Sequence, residues 1–388
     1  MKILLGLLLA LAPVVSSGQT AEKLTPVRHD FVIKNFRTES GVTLPEVHVI
    51  YGTYGHLNAA KDNVVLLPSH YMAKFKGYEW LMGPGKALDP DKLFLVCTEL
   101  FANGSSSSPS NTAEPFHGSH FPLMTIRDNV NAGHQLLIEE LKVQHLKAVI
   151  GFSMGAQQAF QWAVSYPTFM DRAVATSGTS KTYPHGIVRL EGQIAAITTD
   201  PVYNNGDYTA EPLKGIEDFG TMWMGWLYSQ EWWHEELWRA TAKPGTTFAQ
   251  YFEQRRTHFI TGDANDIIAQ MRTWESNDVG ASPGFGKLDF SSKYGGNIGE
   301  ASTNPATERA LGSIKVPFLY MPSATDMYFP ITDATYEAKF IPGVTFMPIP
   351  SLWGHPAGAA ADPADAKFLN ENIARFLSGQ LAPTSLTK

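Results

Sequence analysis

The chain has 388 residues, of which 44% are hydrophobic and 17% charged, enough apolar material for one large core with an inserted subdomain and too much for a disordered segment. A formal charge of -7, with basic residues scattered and never in runs, removes the electrostatic case for nucleic acid as a partner. The single cysteine, Cys97, excludes an intrachain disulfide and reads as a buried thiol.

In chain order, Met1-Lys2, the apolar run Ile3 to Val15 and the small residues Ser16-Ser17-Gly18 have the three parts of a secretory signal over residues 1–18. The run is too short for a stable membrane span, and no cysteine near the cleavage point offers a lipid attachment site. The expected location is therefore secreted or periplasmic. A first core segment is expected over residues 28–182. It begins with antiparallel strands between Asp30 and Tyr54, where Val47, Val49 and Tyr51 alternate, and continues with a strand at Asn63 to Leu67. Pro68-Ser69-His70-Tyr71-Met72 follows at that strand's end, and Leu93 to Cys97 reads as another strand. Asn103 to Ser110 is a glycine- and serine-rich loop, open to two readings, a solvated surface loop or a binding loop. Thr125 and Asp128 have capping-box spacing ahead of a helix carrying Leu136, Leu137, Ile138 and Leu141.

Gly151-Phe152-Ser153-Met154-Gly155 comes next, between the apolar run Leu146 to Ile150 and a helical stretch from Ala156 to Val164. Strand, sharp turn and helix with serine at the turn is the arrangement that exposes a nucleophilic hydroxyl, and the two glycines let strand and helix approach closely. A serine hydroxyl needs a histidine to take its proton and an acid to orient that histidine. Both are available downstream on strand ends. Val316 to Met321 is a strand expectation followed by Asp326, with Asp333 as a competitor. Val344 to Ile349 is another, placed at an edge by Pro348 and followed by His355. A closing helix is expected from Asp362 as N-cap and Pro363 through Leu377 to Gly379.

Between these halves, residues 183–310 lose the strand–helix rhythm and read as a helical, aromatic lid, with the core resuming over 311–380. The cluster Met222 to Tyr228 and Trp232, Trp233 and Trp238 could form lid core, line a pocket or meet a membrane interface. His234-Glu235-Glu236 lacks a second histidine at zinc-ligand spacing, and no glycine loop suited to phosphate is present, so neither metal nor cofactor is expected. The apolar lid is also a candidate homodimer surface.

With the segments Gly83-Pro84-Gly85-Lys86-Ala87-Leu88-Asp89, Phe121 to Asp128, the serine turn, Gln161 to Pro167 and the regions around Asp326 and His355, the chain resembles the homoserine O-acetyltransferase family of the α/β-hydrolase superfamily. The resemblance implies an α/β-hydrolase fold, a mostly parallel central sheet flanked by helices with an inserted helical lid. It also implies an acylated Ser153, His355 as acid and base, and Asp326 as the orienting acid. The oxyanion hole would come from the backbone N–H groups of Met154 and Tyr71.

Several residues depart from that pattern. Phe152 and Ala156 replace glycines around the Ser-Met-Gly core, and Pro68 to Met72 replaces His-Ala-Leu-Thr-Gly. Thr261 and Gly262 stand where the Arg-Phe-Asp-x-Asn stretch would place arginine and phenylalanine ahead of Asp263-Ala264-Asn265-Asp266. Arginine there would suit an amino-acid carboxylate, and its absence argues against homoserine. Three functions stay open: an exported esterase-type hydrolase or acyl transferase to a small alcohol, an acyl-CoA-dependent acyltransferase, and a non-catalytic binding protein that keeps the fold. The partner in the first two is a small-molecule ester or acyl donor.

Overall fold

A computed structural model of the chain describes residues 24–291 and 304–386; the expected signal at 1–18 lies outside the described residues. Eight strands form one sheet: β1 (Val27–Arg37), β2 (Thr43–Tyr54), β3 (Val64–Leu66), β4 (Phe94–Thr98), β5 (Ala148–Phe152), β6 (Ala173–Thr176), β7 (Phe318–Met321) and β8 (Thr345–Phe346). Their spatial order is β1-β2-β4-β3-β5-β6-β7-β8. The β1–β2 and β2–β4 pairs are antiparallel, and every later pair is parallel. The sheet is flanked by helices, as in the α/β-hydrolase fold.

The short central strands are buried on both faces, which is why they read as unbroken apolar runs. Their side chains still alternate. Phe318 and Tyr320 of β7 enter one core with Val149, Phe160 and Trp162, whereas Leu319 and Met321 enter the other with Ile150, Ile373 and Phe376. Helix α1 (Ile126–Gln135) and helix α2 (Met154–Ser165) cover the first face. Thr125 and Asp128 make the expected capping box at the start of α1.

Among the described residues, six α-helices follow β6 before the chain returns to β7: α3 (Pro184–Thr198), α4 (Leu213–Leu227), α5 (Gln230–His234), α6 (Phe248–Arg256), α7 (Ala264–Glu275) and α8 (Pro305–Gly312). The apolar faces of α3, α4 and α7 form a third cluster in which Leu190, Ile194, Ile216, Phe219, Ile267 and Trp274 pack with Tyr71, Met154 and Tyr328 of the sheet end, while Trp232 of α5 and Tyr251 of α6 join the core of the sheet's second face. Val279, Ala310 and Leu311, inside the same stretch, pack instead with the sheet's first face. Helix α9 (Ile331–Ala338) follows β7, and α10 (Pro363–Leu377), capped by the Asp362 carboxylate, closes the second face.

Two local expectations change. The strand expected at Val344 to Ile349 is two residues long, because Pro322 of the neighbouring segment has no N–H to return the bond that Met347 N makes to Tyr320 O at 2.8 Å. Pairing then resumes through Ile349 N–H to Pro322 O at 2.8 Å, and β8 does lie at the sheet edge. The loop Asn103 to Ser110 is packed rather than solvated: Ser106 and Ser108 are fully buried. Asn103 Oδ1 accepts from Ser105 N at 2.9 Å and Ser106 N at 3.0 Å, and Ser108 Oγ accepts from Gly104 N at 2.8 Å. Side-chain oxygens thus supply the partners that an irregular backbone lacks. Ser110 ties the loop to α7 by donating to Asp266.

Candidate active site

Ser153 stands between β5 and α2 with φ 58° and ψ -124°, a left-handed conformation whose strain is of order 1–3 kcal/mol. The two flanking glycines are steric necessities. A Cβ at Gly151 would lie 1.9 Å from Gly155 O, and one at Gly155 would lie 2.4 Å from both Pro68 O and Tyr78 Oη. Backbone bonds lock the turn: Ser153 N donates to Thr176 O at 3.0 Å, and Ser153 O accepts from Ala156 N and Gln157 N.

The structure brings three of the expected residues together. Ser153 Oγ is 2.9 Å from His355 Nε2, and His355 Nδ1 is 2.8 Å from Asp326 Oδ2. The second oxygen of Asp326 accepts from Tyr328 N at 2.7 Å and Phe329 N at 3.1 Å. With both carboxylate oxygens engaged, Nδ1–H donating to Asp326 leaves Nε2 free to accept from the serine hydroxyl. Asp333, the competing acid, lies in the first turn of α9 and is not the residue bonded to His355. The imidazole is held among aromatic rings, with centroids 4.8 Å from Phe152, 4.9 Å from Tyr328 and 5.5 Å from Phe329.

Pro68 to Met72 abuts the serine turn and is pinned to it. Tyr78 Oη donates to Pro68 O at 2.7 Å and accepts from Phe152 N at 2.9 Å, while Gln158 Nε2 of α2 donates to Ser69 O at 2.9 Å. Met154 opens α2, so its N–H has no intrahelical acceptor. Neither that N–H nor the Tyr71 N–H meets an acceptor among the described residues, and the His70 N–H is equally unengaged. The next N–H along, that of Met72, donates to Gln270 Oε1 at 2.6 Å and is unavailable. Burial, and secondarily the neighbouring His355, push the His70 imidazole down to about 3, so it is neutral.

These groups open on a cavity of about 350 Å³. His70, Phe152, Ser153, His355, Pro356 and Ala359 line it from the sheet side, and Trp223, Leu227, His258 and Phe259 from the helical insertion. Trp223 stacks on Tyr71 at 4.9 Å and meets Tyr328 and Phe259 edge-on at 5.1 and 5.3 Å. Other aromatics of the cluster tie the insertion to the sheet's second face: Trp232 is fully buried, stacks on Tyr228 at 3.7 Å and meets Trp353 at 5.8 Å.

Of the lining from the insertion, Trp223 and Leu227 lie in the aromatic cluster read as a candidate pocket wall, whereas His258 and Phe259 had no residue-level signal, since their place depends on how the segment after α6 folds back on the sheet end. The Tyr328–Phe329 pair had one. Residues two and three after an acid in a loop are where a carboxylate bonds the backbone in an Asx turn.

The α/β hydrolase fold model matches residues 77–357. An ethyl acetate hydrolase of Pseudomonas veronii is 34% identical over 346 residues, covering 88% of this chain and 92% of the relative. A homoserine O-acetyltransferase of Trichormus variabilis is 31% identical over 83% of this chain and 87% of its own length. Among solved structures, an acetylester hydrolase from Corynebacterium glutamicum superposes with a TM-score of 0.82 at 28% identity, covering 91% of this chain and 96% of that one. The chain therefore belongs to the α/β hydrolase fold family.

Proposed function

We propose that the protein is an exported serine esterase that cleaves esters of short carboxylic acids through an acyl-enzyme. The observation that carries this reading is the continuous path Ser153 Oγ, His355 Nε2, His355 Nδ1, Asp326 Oδ2, at 2.9 and 2.8 Å, opening on a small apolar cavity. Ser153 Oγ attacks the ester carbonyl carbon as its proton passes to His355 Nε2. The oxyanion is received by the Met154 N–H and an N–H of the His70–Tyr71 strand end, each such donor typically contributing about 3 kcal/mol. The carbon–alkoxy bond breaks, His355 protonates the departing alcohol, and a water activated by the same imidazole releases the acid and restores Ser153. Asp326 keeps the imidazole in the required tautomer and stabilises it while it carries the proton.

Short acyl groups are favoured by similarity to proteins named for ethyl acetate and acetyl esters. Helices α3 to α7 act as a lid that limits water at the acyl-enzyme, so a small alcohol can compete as acceptor. Export rests on Met1-Lys2, Ile3 to Val15 and Ser16 to Gly18. Similarity to homoserine O-acetyltransferases favours a second reading, acyl-CoA-dependent transfer, against which stand Thr261 and Gly262 where arginine and phenylalanine would be expected.

A panel of activated esters of increasing acyl length, assayed with and without acyl-CoA and with acid release measured directly, separates these readings. Acid release from acetyl esters without coenzyme is expected. Acceptor-dependent consumption of acyl-CoA with no acid release would replace the first reading by the second. Failure of a fluorophosphonate to add mass at Ser153 would leave only a binding protein.

A further inference from the structure

Arg189 of α3 is 3% exposed and has no charged hydrogen-bond partner. Its Nη1 donates to the neutral Gln193 Oε1 at 2.6 Å, while Nε and Nη2 meet no acceptor among the described residues. The guanidinium lies between two rings, its Cζ 4.0 Å from the Tyr328 centroid and 4.4 Å from Trp274. Tyr328 in turn lies on His355 at 4.9 Å, and its backbone N–H is bonded to Asp326. Arg189 is not among the residues that line the cavity.

A buried cation without a contacting anion is strongly unfavourable, and so is the fully buried Asp326 carboxylate, whose side-chain partner is the His355 imidazole rather than a fixed cation. Each supplies what the other lacks. The remaining titratable and charged groups facing Arg189 do not balance it. Tyr71 and Tyr328 are pushed well up by burial and stay neutral, and on its own helix His185 is held down, chiefly by burial. Glu275 of α7, pushed up to about 8 by burial, is bonded to Arg272, and Glu191 of α3 also pairs with Arg272. Burial brings Arg189 down only to about 10, so it keeps its charge at neutral pH.

We propose that Arg189 is a positioning residue for Ser153, His355 and Asp326: its guanidinium, seated behind the Tyr328 ring, balances the buried Asp326 carboxylate and opposes protonation of His355 in the resting enzyme. This rests on the catalytic reading given above. Removing the charge makes His355 easier to protonate, so the acid limb of the pH profile moves to higher pH.

The test is kcat/KM for p-nitrophenyl acetate against pH in the wild type, Arg189→Met, Arg189→Lys and Asp326→Asn, and in the Arg189→Met/Asp326→Asn pair. Arg189→Met is expected to raise the lower midpoint by roughly 0.5–1 pH unit, whereas Arg189→Lys, which retains a charge, holds it within about 0.2 unit. On the Asp326→Asn background the added loss from Arg189→Met should shrink to less than about threefold. An unmoved midpoint with only a lower melting temperature, or losses that multiply in full, would overturn the proposal. If Arg189→Met does not fold, a shift above about half a unit in Arg189→Lys does the same. Undiminished activity in Asp326→Asn alone would instead remove the catalytic reading beneath it.

Discussion

The sheet end and the helical insertion both contribute to one cavity, but they position their residues by different physics. Ser153 follows β5 directly, and Asp326 and His355 lie on the chain beyond β7 and β8, where backbone hydrogen bonds, and at Ser153 a positive φ, fix the chain before any side chain is considered. Trp223, Leu227 and Phe259 reach the same space because an apolar helical layer packs onto Tyr71, Met154 and Tyr328. Backbone geometry tolerates almost no substitution, while packing yields in graded steps. Changes on the sheet side should therefore abolish function or folding, and changes on the insertion side should retune it.

The largest effect is expected for Ser153→Ala, with a loss of about 10⁵-fold in kcat for acetyl ester hydrolysis and an unchanged melting temperature. Residual turnover within a hundredfold of the wild type would mean that another nucleophile operates. Gly155→Ala probes the backbone itself. Its new Cβ would lie 2.4 Å from Pro68 O and from Tyr78 Oη, the same hydroxyl that bonds Phe152 N. Because the carbonyl and the serine turn are mutually pinned, relief requires their separation, and a stability loss of roughly 3–5 kcal/mol is expected in denaturant unfolding. A variant as stable as the wild type would show that the turn is not steric in origin.

This contrast also explains what could be read in the chain. Ser153 was legible because glycine–serine–glycine spacing between an apolar run and a helix is a local signature, and Asp326 and His355 because each follows a strand in the right order. The short β8 was legible only as an edge, since Pro348 predicts an unpaired outer side but not that Pro322 opposite would cut the regular pairing short. Burial of Ser106 and Ser108 was hidden, because a serine-rich segment looks solvated until its hydroxyls are seen replacing backbone partners. Trp223 was legible only as one of an aromatic cluster with three possible roles, and Arg189 and Phe259 gave no signal at all, their significance arising from contacts between segments distant in the chain.

The sheet side carries its own titration. Glu337 of α9 is fully buried and accepts from Ser180 N at 2.9 and 3.0 Å, from Ser180 Oγ at 2.7 Å and from Tyr320 Oη at 3.0 Å, joining the chain after β6 to β7. Burial outweighs these bonds and pushes the carboxyl up to about 7. A folded value above the unfolded one means that the protonated form is favoured by folding. The associated stability is full below about pH 4.5 and is lost as pH rises through about 7. Glu337→Gln cannot titrate, so its deficit relative to the wild type should narrow by roughly 2–3 kcal/mol between pH 4.5 and 8. A deficit that stays constant or widens over that range contradicts the assignment.

The smallest effect belongs to the insertion. Trp223 is half-buried, stacks on Tyr71, meets Phe259 edge-on and accepts the Tyr328 hydroxyl at its backbone carbonyl at 2.9 Å. Trp223→Ala leaves that carbonyl and every bond of the Ser153–His355–Asp326 path in place, so the chemical step should be nearly untouched. What it removes is one wall of the cavity, and with it apolar contact to a short ester. A fall of about tenfold in kcat/KM for acetyl esters is expected, carried mainly by KM, with esters of longer acids losing less or gaining. If kcat fell by the full factor while KM held, the insertion would be organising the catalytic groups themselves, and the division of labour between packing and backbone would have to be redrawn.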